Sequence, residues 1–238
     1  MPEIARMPVW FKGGRQPASR SRLPSGTCVA RSRSASGTYN GFDPRAKPAT
    51  IHFQHKEDFG ALDPSEPLIG PYTALPAACQ DYDPRAVEVA RQVAALVGKH
   101  LPNARVEHVG STSVPRCAGK GIVDLMIAVR DGEMEAINQG LDGLGFQRQT
   151  GPEPFPEDRP MRVGAWCHDG DTFLLHLHLV PEGSPEVDQM RFFRACLRAD
   201  PELVRAYVAR KREIIAGGVT DSLEYCRIKG EFLKEVLG

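Results

Sequence analysis

The sequence predicts an α/β-class protein with α+β architecture: a small mixed β-sheet flanked by helices and followed by a helical C-terminal tail. Three observations carry that expectation. The run from Ile122 to Val129 is apolar apart from Asp124, as in a strand covered on both faces. The stretches Met161 to His168 and Thr172 to Val180 flank Asp169-Gly170, a strong two-residue hairpin signal. Helical periodicities opened by Asp-Pro pairs stand on either side of these strands.

In chain order, residues 51–80 are Pro-rich and weakly patterned and read as an irregular lead-in. Asp83 then supplies an N-cap and Pro84 the first helical position. Val87, Ala90, Ala94 and Val97 follow at helical spacing, so a helix runs to about His100. Arg105 to Val109 is a short strand ending at Gly110. After the apolar strand, Gly132 to Leu144 forms a helix closed by Gly145. Residues 150–160 hold four prolines and form a loop. Three helices follow the hairpin. The first spans about Glu186 to Arg198 and the second opens at Asp200-Pro201. The third opens at Asp221, with Glu224 completing a capping box. The chain has no internal repeat.

At 238 residues the chain is long enough to bury a substantial core, and its composition is that of a globular protein. Net charge is zero, so no global field draws it to nucleic acid or membrane, and no apolar run is long enough to span a bilayer. The six cysteines are scattered without a C-x-x-C pair, which fits a reducing cytoplasm rather than a disulfide scaffold or zinc knuckle. Residues 1–50 carry nine Lys or Arg against two acids. This Arg-, Ser-, Gly- and Pro-rich stretch has too few apolar side chains to offset its ordering entropy. Residues 1–75 are expected to form a disordered or irregular basic extension, with the folded domain over 76–238. A transit leader, a basic arm touching nucleic acid and a start assigned too far upstream all remain readings of the extension.

The most informative stretch is Val106 to Val129. A carboxylate inside a sheet costs several kcal/mol unless paired or bound to a cation, and Asp124 stands on the most apolar strand. Just upstream, Gly110-Ser111 offers backbone N–H groups and a hydroxyl to a phosphate. Spacing alone leaves a second reading open, in which Asp124 accepts a hydrogen bond from a neighbouring loop.

The residues His108, Gly110-Ser111-Thr112-Ser113-Val114-Pro115, Lys120 and Asp124 resemble the signature of the GrpB family. Tyr82-Asp83-Pro84, the HLHLV run at His176 to Val180 and the helical stretch near the C-terminus agree with it, so the resemblance covers roughly Asp81 to Leu237. Arg116, Cys117 and Gly121 depart from the pattern, which normally has Gly, Leu and Pro there. Family members usually begin near Tyr82, which favours the upstream-start reading of the extension.

The resemblance implies a nucleotidyltransferase-like fold. In that superfamily a Gly-Gly/Ser turn precedes an Asp-x-Asp/Glu strand; here Asp124 takes the first acidic position and Met126 the second. Strand alternation puts His176 and His178 on one face, where they serve either as metal ligands or as hydrogen-bonding groups across the sheet. The resemblance favours ligation: Asp124, His176 and His178 would form a mixed catalytic and metal site for Mg²⁺ or Mn²⁺, with Zn²⁺ also suited. Gly110, Ser111 and Thr112 would cradle phosphate, with Lys120 and Arg194 offsetting its charge. Arg191, Arg194 and Arg198 share one helix face, as a ligand clamp or a solvated stripe. Tyr225 and Lys229 match the family's tail and are placed to approach the cleft.

The implied activity is metal-dependent transfer of a nucleotidyl or phosphoryl group from a nucleoside triphosphate to an unidentified acceptor. The alternative is a catalytically silent nucleotide- or phosphate-binding module with an accessory, folding-assistance role.

Overall fold

The computed structural model describes residues 68–151 and 153–237, so the expectation of disorder over residues 1–67 lies outside the described residues. Described residues ahead of position 76 are already packed against the sheet. Ile69 is 1% exposed, and Gly70 exchanges two backbone hydrogen bonds with Ala165. This segment is docked on the domain.

The elements are α1 (Arg85–His100), β1 (Val106–Val109), a 3-10 turn (Ser111–Ser113), β2 (Val123–Val129), α2 (Met134–Gly143), β3 (Gln147–Arg148), β4 (Met161–His168), β5 (Asp171–Pro181), α3 (Pro185–Ala199), α4 (Pro201–Ala216) and α5 (Ser222–Leu237). Two-residue β3 and the 3-10 turn lacked an expectation; β3, too short for periodicity, exists because β4 offers it a ladder. Asp83 Oδ1 accepts from the Arg85 N–H, and Asp200 Oδ1 caps α4 through Glu202 and Leu203. Asp221 likewise accepts from Glu224 N–H, but the Glu224 carboxylate turns to Arg227, so the α5 box is half-closed. The hairpin turn places Asp169 at φ 50 and Gly170 at φ 78, two left-handed residues as a type I′ turn requires. Along α1 the buried stripe is Ala86, Val89, Ala90, Val93 and Val97; Val87 faces solvent, one position off the predicted face.

The mixed sheet runs β1-β2-β5-β4-β3, with β2 and β5 parallel and the other neighbours antiparallel. On one face, Leu125, Ile127, Leu175, Leu177 and Leu179 meet α1 and α2 in the main core. On the other, Met126 and Val180 pack beneath Val187 and Met190 of α3. Both faces of β2 are thus covered along its middle, which accounts for its near-unbroken apolar run. A separate cluster joins the loop after the 3-10 turn (Val114, Cys117, Ala118) to α3 and α4 through Leu197, Val204 and Tyr207. This anchors the helical tail beside the loop. Among the described residues no helix is long and apolar enough to cross a membrane, and Cys79, Cys117, Cys167, Cys196 and Cys226 are free thiols.

Candidate functional site

Register assembles the site. Asp124 on β2 stands opposite His176 on β5, and Met126 opposite His178. Parallel partners point to the same sheet face, so the carboxylate and both imidazoles emerge together beyond the part that α3 covers. Asp124 Oδ1 lies 3.6 Å from His176 Nδ1 and 3.8 Å from His178 Nε2. The three donor atoms all fall within 4.8 Å of one another. Ligands held at ~2.1 Å around one ion stand ~3.0–3.4 Å apart, so small side-chain rotations would close this set on a divalent metal.

The groups around these side chains fit as well. The Tyr72 hydroxyl lies 2.9 Å from His176 Nε2, which leaves Nδ1 turned to Asp124. Ligating histidines are ordinarily oriented this way, through their other nitrogen. Phe155 meets the His178 ring edge-on, and Arg159 lies over the Phe155 ring while pairing with Glu186 in a buried bridge. Burial opposes ionisation of Asp124, yet the two imidazoles beside it hold its carboxyl well below the usual range. Burial pushes His178 down, against the pull of Asp124. Burial, and then the Asp124 charge, push the Tyr72 hydroxyl up.

Gly110 closes the other side of the carboxylate. Its φ is 66, and a Cβ there would collide with the Asp124 side chain. Met126 is fully buried beneath α3 and leaves this strand with one carboxylate at the site.

The predicted phosphate loop divides in two. Ser111 Oγ stands over Gly119, where a Cβ would approach it to 2.8 Å and the Lys211 ammonium to 3.4 Å. Thr112 turns inward: its hydroxyl donates to the Ile122 carbonyl at 3.2 Å and lies 3.0 Å from His108 Nε2. Ser113 Oγ likewise donates to the Gly110 carbonyl. These two hydroxyls shape the loop.

The arginine stripe on α3 is likewise drawn into the loop's support. Arg191 and Arg194 both pair with Glu107, Arg194 also donates to the His108 carbonyl at 2.7 Å, and Arg198 donates twice to the Ser113 carbonyl. Arg191 and Arg198 stay solvent-exposed while making these contacts, so the stripe is a partly solvated face that also braces β1 and the loop.

Cations come instead from the end of the loop and from the tail. Lys120 donates to Ser222 Oγ of α5 at 3.1 Å, and burial is the main cause that lowers its pKa, with the nearby Lys229 charge adding to it. Lys211, 1% exposed, donates to the Ala118 carbonyl and lies 4.2 Å over the Tyr207 ring. The fields of Lys229 and Lys120 both reach Asp124. Sequence reading placed Lys120 and Lys229 near the cleft but missed Lys211 and Tyr72. For Lys211 a signal existed: Val204, Tyr207, Val208, Lys211 and Ile214 recur at helical spacing, so this lysine sits on the buried stripe of α4. Tyr72 lies in a segment with no periodicity to read.

A family model described as GrpB protein matches residues 76–238. A UPF0157 protein of Streptomyces coelicolor is 31% identical over 173 residues, covering 70% of this chain and 85% of that protein. UPF0157 protein YqkA of Bacillus subtilis is 29% identical over 129 residues, or 54% of this chain; the match spans only 36% of YqkA. The crystal structure of the conserved protein GrpB from Enterococcus faecalis aligns with 68% of this chain and all of that one, at 23% identity and a TM-score of 0.50.

Proposed function

The chain belongs to the GrpB family, and we propose that it is a metal-dependent nucleotidyltransferase that acts on a nucleoside triphosphate and an acceptor bearing a nucleophilic oxygen. The observation that carries this reading is the convergence of Asp124, His176 and His178 beside the Gly110 turn. A divalent ion held by those three would neutralise phosphate oxygens during transfer.

The remaining work falls to the chain's own groups. The Ser111 hydroxyl and the ammonium groups of Lys120, Lys211 and Lys229 would hold the β- and γ-phosphates. Lys211 is buried, without a carboxylate partner among its contacts. A buried ammonium in that state gains most from an anionic ligand. Gly110 lets the phosphate chain approach Asp124 closely. Attack of the acceptor oxygen on the α-phosphorus would break its bond to the leaving pyrophosphate, whose charge the lysines would balance. Positioning and electrostatics would supply most of the rate.

Met126 favours a second reading, a silent nucleotide-binding accessory module, because two-metal transfer ordinarily uses a second carboxylate there. Thermal unfolding of the full chain separates the two. Under the enzyme reading, metal and nucleoside triphosphate stabilise it only together, by about 2–3 kcal/mol at a hundredfold excess over Kd, and Asp124→Asn or His176→Ala abolishes the effect. Stabilisation by nucleotide alone, unchanged in Asp124→Asn, would establish the accessory reading.

A further inference from the structure

A cavity of about 670 Å³ opens away from the candidate metal centre, between the segment 114–118, the end of α3 and the outer side of α4. Its size is that of a small-molecule site. The floor is apolar and continuous with the tail's buried cluster: Val114, Leu197, Val204 and Val208 are all under 9% exposed. The rim is cationic. Arg116, Arg198, Arg205 and Arg212 line it, against Asp81 as the one lining carboxylate. Arg198 is committed to the Ser113 carbonyl and Arg212 to Asp81, whereas Arg205 makes only an exposed pair with Glu202 one turn away, which an anion can compete for. The Arg116 guanidinium has no hydrogen-bond or ion-pair partner among the described residues.

Arg116 is also the residue with the least comfortable backbone on this rim. Its φ of 63 is a left-handed conformation that a long side chain adopts at a cost and glycine adopts freely. Asp169, the other non-glycine with positive φ among the described residues, is explained by its hairpin turn. Nothing in the packing requires arginine at 116; its only evident role is to place a fork of donors at the cavity mouth.

We propose that this cavity binds a small organic anion with a compact apolar body, the apolar part on the Val204–Val208 floor and the anionic group between Arg116 and Arg205. None of Asp124, Lys120, Lys211 or Lys229 lines it, so it is a site distinct from the candidate metal centre. The two share one loop: Lys211 holds the Ala118 carbonyl and Arg198 the Ser113 carbonyl. An occupant here would therefore touch the same backbone that shapes the phosphate turn.

The test is calorimetric titration of the full chain with 1-naphthyl phosphate, in EDTA and without nucleotide, so that failure of the metal-centre reading leaves it intact. One equivalent should bind, about tenfold or more tighter than 1-naphthol or inorganic phosphate alone. Arg116→Gly, which relaxes the backbone and should fold at least as well, should weaken binding about threefold to tenfold. Arg116→Gly with Arg205→Gln should weaken it further, and Lys229→Ala should leave it unchanged. Absence of binding at millimolar probe, equal affinity for 1-naphthol, an unchanged affinity in the double variant, or loss in Lys229→Ala would each overturn the proposal.

Discussion

The Tyr72 hydroxyl lies 2.9 Å from Nε2 of His176, so a segment before the first helix fixes the ring that faces Asp124. If that contact sets the tautomer and angle of His176, Tyr72→Phe should weaken Mn²⁺ or Zn²⁺ binding about tenfold while the melting temperature of the metal-free chain moves little. Titration calorimetry of both chains measures it. Equal metal affinity would remove Tyr72 from the centre.

Gly110→Ala should be costly even without ligand. The position combines φ 66 with ψ −170, a region open to glycine almost alone, and the added methyl would meet the Asp124 carboxylate. We expect about 2–4 kcal/mol of lost stability, read by urea unfolding. Asp124→Gly in the same chain should recover part of it by removing the collision but not the strain.

Lys211→Met separates stability from binding. The thioether can follow the lysine stem beneath Tyr207, and the variant no longer buries a charge, although the Ala118 carbonyl loses a donor. Stability should change by no more than about 1 kcal/mol, whereas nucleotide affinity should drop about tenfold. A large destabilisation with intact nucleotide binding would make Lys211 a structural clasp only.

Acid should weaken the fold before the carboxylates titrate. Burial holds His108 down at about 4. Between that value and the ordinary ~6.5 the unfolded chain takes up a proton that the folded chain refuses. Stability is therefore fully present above ~6.5 and declines as pH falls towards 4, by up to about 3 kcal/mol from this residue. His178 is shifted in the same direction and contributes in the same window. Asp124, held low, adds a loss only further down, as pH drops through the carboxylate range. Urea unfolding from pH 7 to 4.5 in EDTA should show the slope reduced by up to one proton in His108→Gln. An identical slope would mean that His108 protonates freely in the folded chain.

Legibility in the sequence followed periodicity. The apolar run with Asp124 inside it, the alternation placing His176 and His178 together, and the Asp-Gly turn are all local patterns, and each appears where expected. The meeting of the Asp124 face with the His176 face depends on pairing between distant strands, and only the family resemblance supplied it. Polar roles were harder to read. Thr112 reads as a phosphate ligand and Arg194 as a charge-balancing group, yet both spend hydrogen bonds on the protein's own carbonyls, Ile122 and His108, and Arg194 also pairs with Glu107. Such choices are set by which carbonyls the fold leaves unpaired, and nothing in residue type announces them. Tyr72 was lost for the opposite reason: its segment has no repeat, and its position comes from one bridge at Gly70 and one hydrogen bond to Gln147.

The parallel ladder of β2 and β5 has a kinetic and quality-control implication. Its two strands belong to different parts of the chain, and each side chain's face is decided by alignment to the single residue. A slip of one position would send both imidazoles into the oily side under α1 and bring leucines to meet the carboxylate. Such a misaligned chain would retain its helices yet hold no ion, so metal uptake during refolding would report the zipping of this long-range strand pair rather than collapse.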